Sequence, residues 1–64
     1  MNTPDATISD HGSIVLLHPI SEEAITWIDE NIGNEAQYFG DALVIERRYV
    51  VPIVNGMRAD GLEV

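Results

Sequence analysis

The chain contains no cysteine and no lysine. Without cysteine there is no disulfide staple and no thiolate zinc site, and a reducing compartment is permitted. Without lysine the only permanent cations are Arg47, Arg48 and Arg58, set against eleven Asp and Glu for a formal net charge of −8. That balance disfavours direct binding to a nucleic-acid backbone, because gripping phosphates takes cations that displace condensed counterions. A long apolar run is also missing, as is a basic stretch near Met1. Neither a signal peptide nor a membrane-spanning helix is expected, and the expected location is the cytosol. No GxSxG elbow, phosphate loop or metal-ligand spacing occurs, so no catalytic residue, metal or cofactor is expected and the protein is not read as an enzyme. His11 and His18 stand seven apart in unlike settings, a spacing with no ligand logic behind it.

What is present fits one small domain. Sixty-four residues bury a thin core, worth about 3–5 kcal/mol net. Residues 1–12 are polar and turn-rich and read as a flexible arm, leaving 13–64 as the folded unit. Ser13-Ile-Val-Leu-Leu-His18, closed by Pro19, reads as a strand. Ser21 is a good helix N-cap with Glu22 and Glu23 in the first turn, and Gly33-Asn34 supplies a stop. Ile25, Ile28 and Ile32 recur at helical spacing on the predicted helix over 21–32, and Ile20 is placed to staple onto Ile25.

Gln37 to Glu46 reads as a β-hairpin, Tyr38-Phe39 and Ala42–Ile45 joined by a two-residue Gly40-Asp41 turn. Ala42-Leu-Val-Ile45 has no polar break, which suits a central strand. A second helix is expected to start near Tyr49, with Val50, Ile53, Val54 and Met57 on its apolar face and Pro52 in its first turn. Gly56 in its interior points to close packing or simple tolerance. Gly61 and Leu62 have the pattern of a Schellman ending. The predicted fold is α+β, a β-α-β-β-α domain. Its three-stranded sheet has order 1-3-2 and both helices lie on one face.

Charge carries the functional reading. Residues 1–46 hold nine acids and no Lys or Arg, a charge of −9, while residues 47–64 sum to +1. On the first helix Glu22, Glu23, Thr26, Asp29 and Glu30 fall within about 120° of arc, opposite the isoleucines. Solvated helix faces commonly mix Lys with Glu to gain ion pairs one turn apart, and this one has no Lys. The candidate partner-binding residues are therefore Glu22, Glu23, Asp29 and Glu30, with Trp27 on their flank. Trp27 either seals the edge of the core or anchors a partner. Arg47-Arg48 reads as a pair offsetting neighbouring acids. A basic protein surface is the expected partner, with no direct contact to nucleic acid or membrane.

The segments Gly12-Ser-Ile-Val-Leu-Leu, Trp27-Ile-Asp-Glu-Asn31, Tyr38-Phe-Gly40, Val44-Ile-Glu46, Arg48-Tyr-Val50 and Asp60-Gly-Leu62 look like those of small phage and prophage proteins. In general character the chain resembles anti-CRISPR proteins, short, acidic inhibitors devoted to one host complex. The resemblance implies a non-enzymatic inhibitor with a DNA-mimic-like acidic surface, directed at a type I CRISPR effector more than a type II one. It carries no functional residues, since anti-CRISPR proteins share no common residue pattern. The alternatives are an antitoxin or immunity-like protein that neutralises a basic partner, and a small structural domain whose acidity serves solubility.

Overall fold

In the computed structural model, which describes residues 3–64, the chain runs β1 (Ala6–Asp10), β2 (Ile14–Pro19), α1 (Glu22–Asn31), a 3₁₀ turn (Gly33–Glu35), β3 (Tyr38–Phe39), β4 (Ala42–Glu46) and α2 (Arg47–Ala59). The sheet has four strands in the order β1-β2-β4-β3, each pair antiparallel. The predicted arrangement of three strands lies inside it, with β4 between β2 and β3. The fourth strand corrects the prediction. Ala6–Asp10, read from the sequence as part of a flexible arm, pairs along its length with Val15–Pro19. Met1 and Asn2, the first residues of that expected arm, lie outside the described residues.

Strand parity separates the two faces of the sheet. Leu17 is opposite Leu43 and Val15 opposite Ile45, so these side chains share one face. Leu17, Leu43 and Ile45 form a single core with Ala6, with Ala24 and Ile28 of α1 and with Met57 of α2. Both helices therefore cover the same face, as predicted. Leu17, Ile28, Leu43 and Met57 are the large fully buried side chains. Each contributes about 1.5–3 kcal/mol of apolar transfer, a large share of what a domain of this size can hold.

Local chemistry explains the turns. Gly40 takes φ +62° while Asp41 keeps a negative φ, the pattern of a two-residue II′ hairpin turn. Ser21 caps α1 by accepting from the Ala24 N–H at 3.1 Å. At the end of α2, the Leu62 N–H donates to the Met57 carbonyl at 3.0 Å and the Gly61 N–H to the Arg58 carbonyl at 3.0 Å. With Gly61 at φ +89° and Leu62 packed against the core, this is the predicted Schellman ending.

Two helix details depart from expectation. Ile25 is 53 % exposed and Ile20 49 %, while Ala24 is buried beside Ile28. The core stripe of α1 is thus rotated by about one residue. The small Ala24 takes the fully buried core position, and Ile25 is left on the rim. The second departure is the start of α2, which begins at Arg47 and puts Pro52 beyond its first turn. Pro52 has no N–H for the Arg48 carbonyl. Both residues are exposed, so water can satisfy that oxygen.

Candidate functional site

The acids of α1 lie along a groove between that helix, the entry to β1 and the turn after α2. Its volume is about 600 Å³, and its walls carry the carboxylates of Asp5, Glu22, Glu23, Glu30 and Asp60 with Trp27 among them. Of the residues singled out in the sequence, Glu22, Glu23, Glu30 and Trp27 are brought together there; Asp29 is exposed on α1 but does not line the groove. Asp5 and Asp60 were missed. They are 17 and 30 residues from the nearest acids of the helix, and only the tertiary fold places them.

Trp27 is half-buried, packs on the core and lies over Gly56. A Cβ added at Gly56 would meet Trp27 Cζ2 at 3.0 Å. The indole Nε1–H donates to Asp60 Oδ2 at 2.6 Å, a charge-assisted bond that fixes the ring against α2. Of the two roles open to Trp27 in the sequence, these contacts supply the seal at the core edge. Gly56 is explained by the same contact, since a methyl there would crowd the ring.

Asp5 organises the other wall. Its Oδ2 accepts from the Glu63 N–H at 2.7 Å, and its backbone carbonyl accepts from Ile20 and Ser21 at 2.7 and 3.1 Å. The Glu63 N–H, and after it the Ser21 hydroxyl, hold the Asp5 carboxyl below the usual carboxylate range. Asp5 and Asp60 thus spend part of their hydrogen-bonding capacity within the chain. Glu22, Glu23 and Glu30 have no side-chain partner among the described residues.

The arginines leave these acids alone. Arg47 pairs with Asp10 and its Nε donates to the Gly12 carbonyl at 2.8 Å. Arg48 bonds Glu46 at 3.1 Å and lies 4.8 Å from the centroid of the Tyr49 ring. Arg58 donates to the Val64 carbonyl at 2.8 Å. The Arg47-Arg48 pair offsets neighbouring acids, as read from the sequence, and no arginine reaches the groove acids.

The carboxylates are strung out, not gathered. Glu23 and Glu30 are seven residues apart, about 10 Å along the helix axis. Among the described residues no three His, Asp or Glu side chains converge where one metal ion could sit. His11 bonds Ser9 Oγ at 3.0 Å in the β1–β2 turn, while His18 lies opposite Thr7, three strand positions from Asp10. A second cavity, of about 550 Å³, opens where β3 stops short beside β4 and is walled largely by Ile32, Leu43, Ile45, Tyr49 and Ile53. Glu35 and Glu46 also line it, with no His, Ser or Thr beside them. No helix is long and apolar enough to cross a membrane among the described residues.

Comparison with protein-family models, with curated proteins and with solved structures gives no match to this chain. Its function is therefore read from the groove itself.

Proposed function

We propose that the protein is a non-enzymatic inhibitor whose acidic groove and helix face occupy a basic nucleic-acid-binding surface of a bacterial protein complex. One observation carries the reading. Five carboxylates from three separate parts of the chain line a single groove, and all three arginines are engaged elsewhere. A distributed row of acids with no arginine beside them suits several Arg and Lys side chains spaced along a surface, which is the arrangement proteins use to hold a phosphate backbone. Long-range attraction from the net charge of −8 would speed encounter with such a surface.

Resemblance to phage-encoded anti-CRISPR proteins makes a type I CRISPR effector the first complex to test, in the cytoplasm of the host cell. A basic toxin, the antitoxin alternative, presents similar chemistry and is the second.

The experiment is inhibition of target-DNA binding by a type I effector. Wild type is expected to inhibit, DNA to compete with it, and inhibition to weaken steeply as salt rises. Glu23→Lys with Glu30→Lys is expected to weaken inhibition by about tenfold or more while the fold persists, since both positions are exposed. Glu35→Lys with Asp41→Lys, which reverses the same number of charges away from the groove, is the control and is expected to change it far less. Equal inhibition by the two double mutants at matched folding would refute the groove as the binding surface.

A further inference from the structure

β4 is longer than the strand beside it. β3 pairs with only two of its residues, Phe39 with Ala42 and Tyr38 with Leu43. One more bond follows, from the Val44 N–H to the Gln37 carbonyl at 2.8 Å. The chain enters β3 from the 3₁₀ turn at Gly33–Glu35, so no strand runs beside the rest of β4 on that side.

Alternation fixes which backbone groups are left open. The Arg47 N–H donates to the Ser13 carbonyl at 3.3 Å, and in this antiparallel register the groups of Ile45 and Leu43 also point toward β2. Those of Val44 and Glu46 point the other way. The Glu46 carbonyl belongs to the start of α2, where Glu46 is the N-cap. Among the described residues the Val44 carbonyl and the Glu46 N–H have no backbone partner.

These two groups bracket one residue, Ile45. In a parallel ladder a single residue opposite Ile45 gives its N–H to the carbonyl before it and accepts from the N–H after it. Such a residue also carries its side chain on the sheet face that Ile45 faces. On that face the cavity of about 550 Å³ opens, walled by Ile32, Tyr49 and Ile53. Ile32 and Ile53 are half-buried and Tyr49 is 47 % exposed, so an apolar side chain seated there takes their surface out of water. Backbone and cavity thus ask for one ligand, an extended peptide with an apolar residue. A small apolar molecule would leave the backbone pair unused.

Charge narrows the peptide further. Glu35 and Glu46 stand on the rim of the cavity. Arg48 bonds Glu46 at 3.1 Å, while Glu35 has no side-chain partner among the described residues. With a net charge of −8 behind them, Lys or Arg next to the apolar residue is favoured over Asp or Glu.

We propose that the open edge of β4 is a peptide-binding site. An extended segment of a partner protein adds parallel to β4 at Ile45, with its apolar side chain in the cavity and basic residues flanking it. The inference does not rest on what the acidic groove binds.

The test is titration of ¹⁵N-labelled protein with acetyl-Lys-Thr-Ile-Thr-Lys-amide, followed by amide NMR shifts. Expected is a saturable downfield shift of the Glu46 amide proton as it gains a partner. The same peptide with an N-methyl group on its Ile keeps the charge and side chain but cannot donate to the Val44 carbonyl. It should bind about tenfold or more weakly, and a peptide with Ser in place of Ile should also bind more weakly. Glu23→Lys with Glu30→Lys should preserve the difference between the parent and N-methyl peptides, which separates this site from the groove on α1. No saturable shift at Glu46 with millimolar peptide would overturn the proposal. So would equal binding of the N-methyl peptide, the mark of a cavity that takes any apolar cation. A Glu46 shift that grows with protein concentration in the absence of peptide would overturn it too, by giving the edge to a second copy.

Discussion

Gly56→Ala sets two known effects against each other at one position. In a helix interior the substitution ordinarily stabilises by about 1 kcal/mol, through alanine's higher propensity and the lower entropy of the unfolded chain. Here the new Cβ would meet Trp27 Cζ2 at 3.0 Å. Normal carbon–carbon separation is about 3.5–4.0 Å, so ring or helix must give by a few tenths of an ångström. The ring is not free to do so cheaply, being packed on the core and tied to Asp60 at 2.6 Å. Overpacking of this kind costs about 1–3 kcal/mol. The net expectation is a loss of up to about 2 kcal/mol, and in no case the usual gain.

The background decides the argument. With Trp27→Leu in place the obstruction is gone, and Gly56→Ala should then stabilise by about 1 kcal/mol. Urea denaturation followed by far-UV circular dichroism on all four proteins closes the double-mutant cycle. A coupling near zero, with alanine stabilising equally in both backgrounds, would refute the placement of the indole over Gly56. In proteins that retain Trp27, the chain's single Trp, its fluorescence gives a second reading: Gly56→Ala should shift its emission toward that of an exposed indole.

Other outcomes follow from the core, from the hydrogen-bonded acids and from the Asp10–Arg47 contact. Ile28 is fully buried, so Ile28→Asp should abolish the cooperative melt while Ile28→Ala should cost about 2–5 kcal/mol. Asp5 is held below the usual range by the Glu63 N–H and then by Ser21, and Asp10 by the Gly12 N–H and then by Arg47. Lowered folded-state values mean that their contribution is present above the unfolded pKa of about 4, and is lost as pH falls through the folded values. Thermal melts should therefore drop in acid, and Asp5→Asn with Asp10→Asn should flatten that drop. A melting curve equally acid-sensitive in the double mutant would count against both contacts. Arg47→Ala breaks an exposed pair and should cost at most about 1 kcal/mol, read by the same melts.

Elements whose signals were local were legible in the sequence. Ser21, Gly33, the Gly40-Asp41 turn and the Gly61-Leu62 ending each carry their structural reason in one or two residues. The order of β2, β4 and β3 followed from an uninterrupted apolar strand and one crossover helix. Strand β1 was not read, although Ala6, Thr7, Ile8 and Ser9 do alternate. Of its residues only Ala6 is buried, and Ile8 is 42 % exposed. Such an edge strand is held chiefly by its ladder to β2, which hydrophobic patterning does not report. The rotation of α1 that buries Ala24 instead of Ile25 likewise depends on how near the helix lies to the sheet. For the groove, helical spacing revealed the acids of one element but could not reveal Asp5 and Asp60. Asp29 was included on arc alone and falls outside the concave part.

The mutual hydrogen bonding of Asp5 and Glu63, at 2.8 Å through the backbone and 2.7 Å through the side chain, brings the two ends of the fold to one place. A short peptide linker across that junction would close the chain into a ring. New ends could then be opened at the Gly40-Asp41 turn, giving a circular permutant with the same sheet. The junction also lies at the mouth of the acidic groove. A cationic affinity tag fused after Val64 would lie beside it and compete for its carboxylates. Affinities measured on such a fusion would read low, and an untagged or permuted protein is the better reagent for weighing what the groove binds.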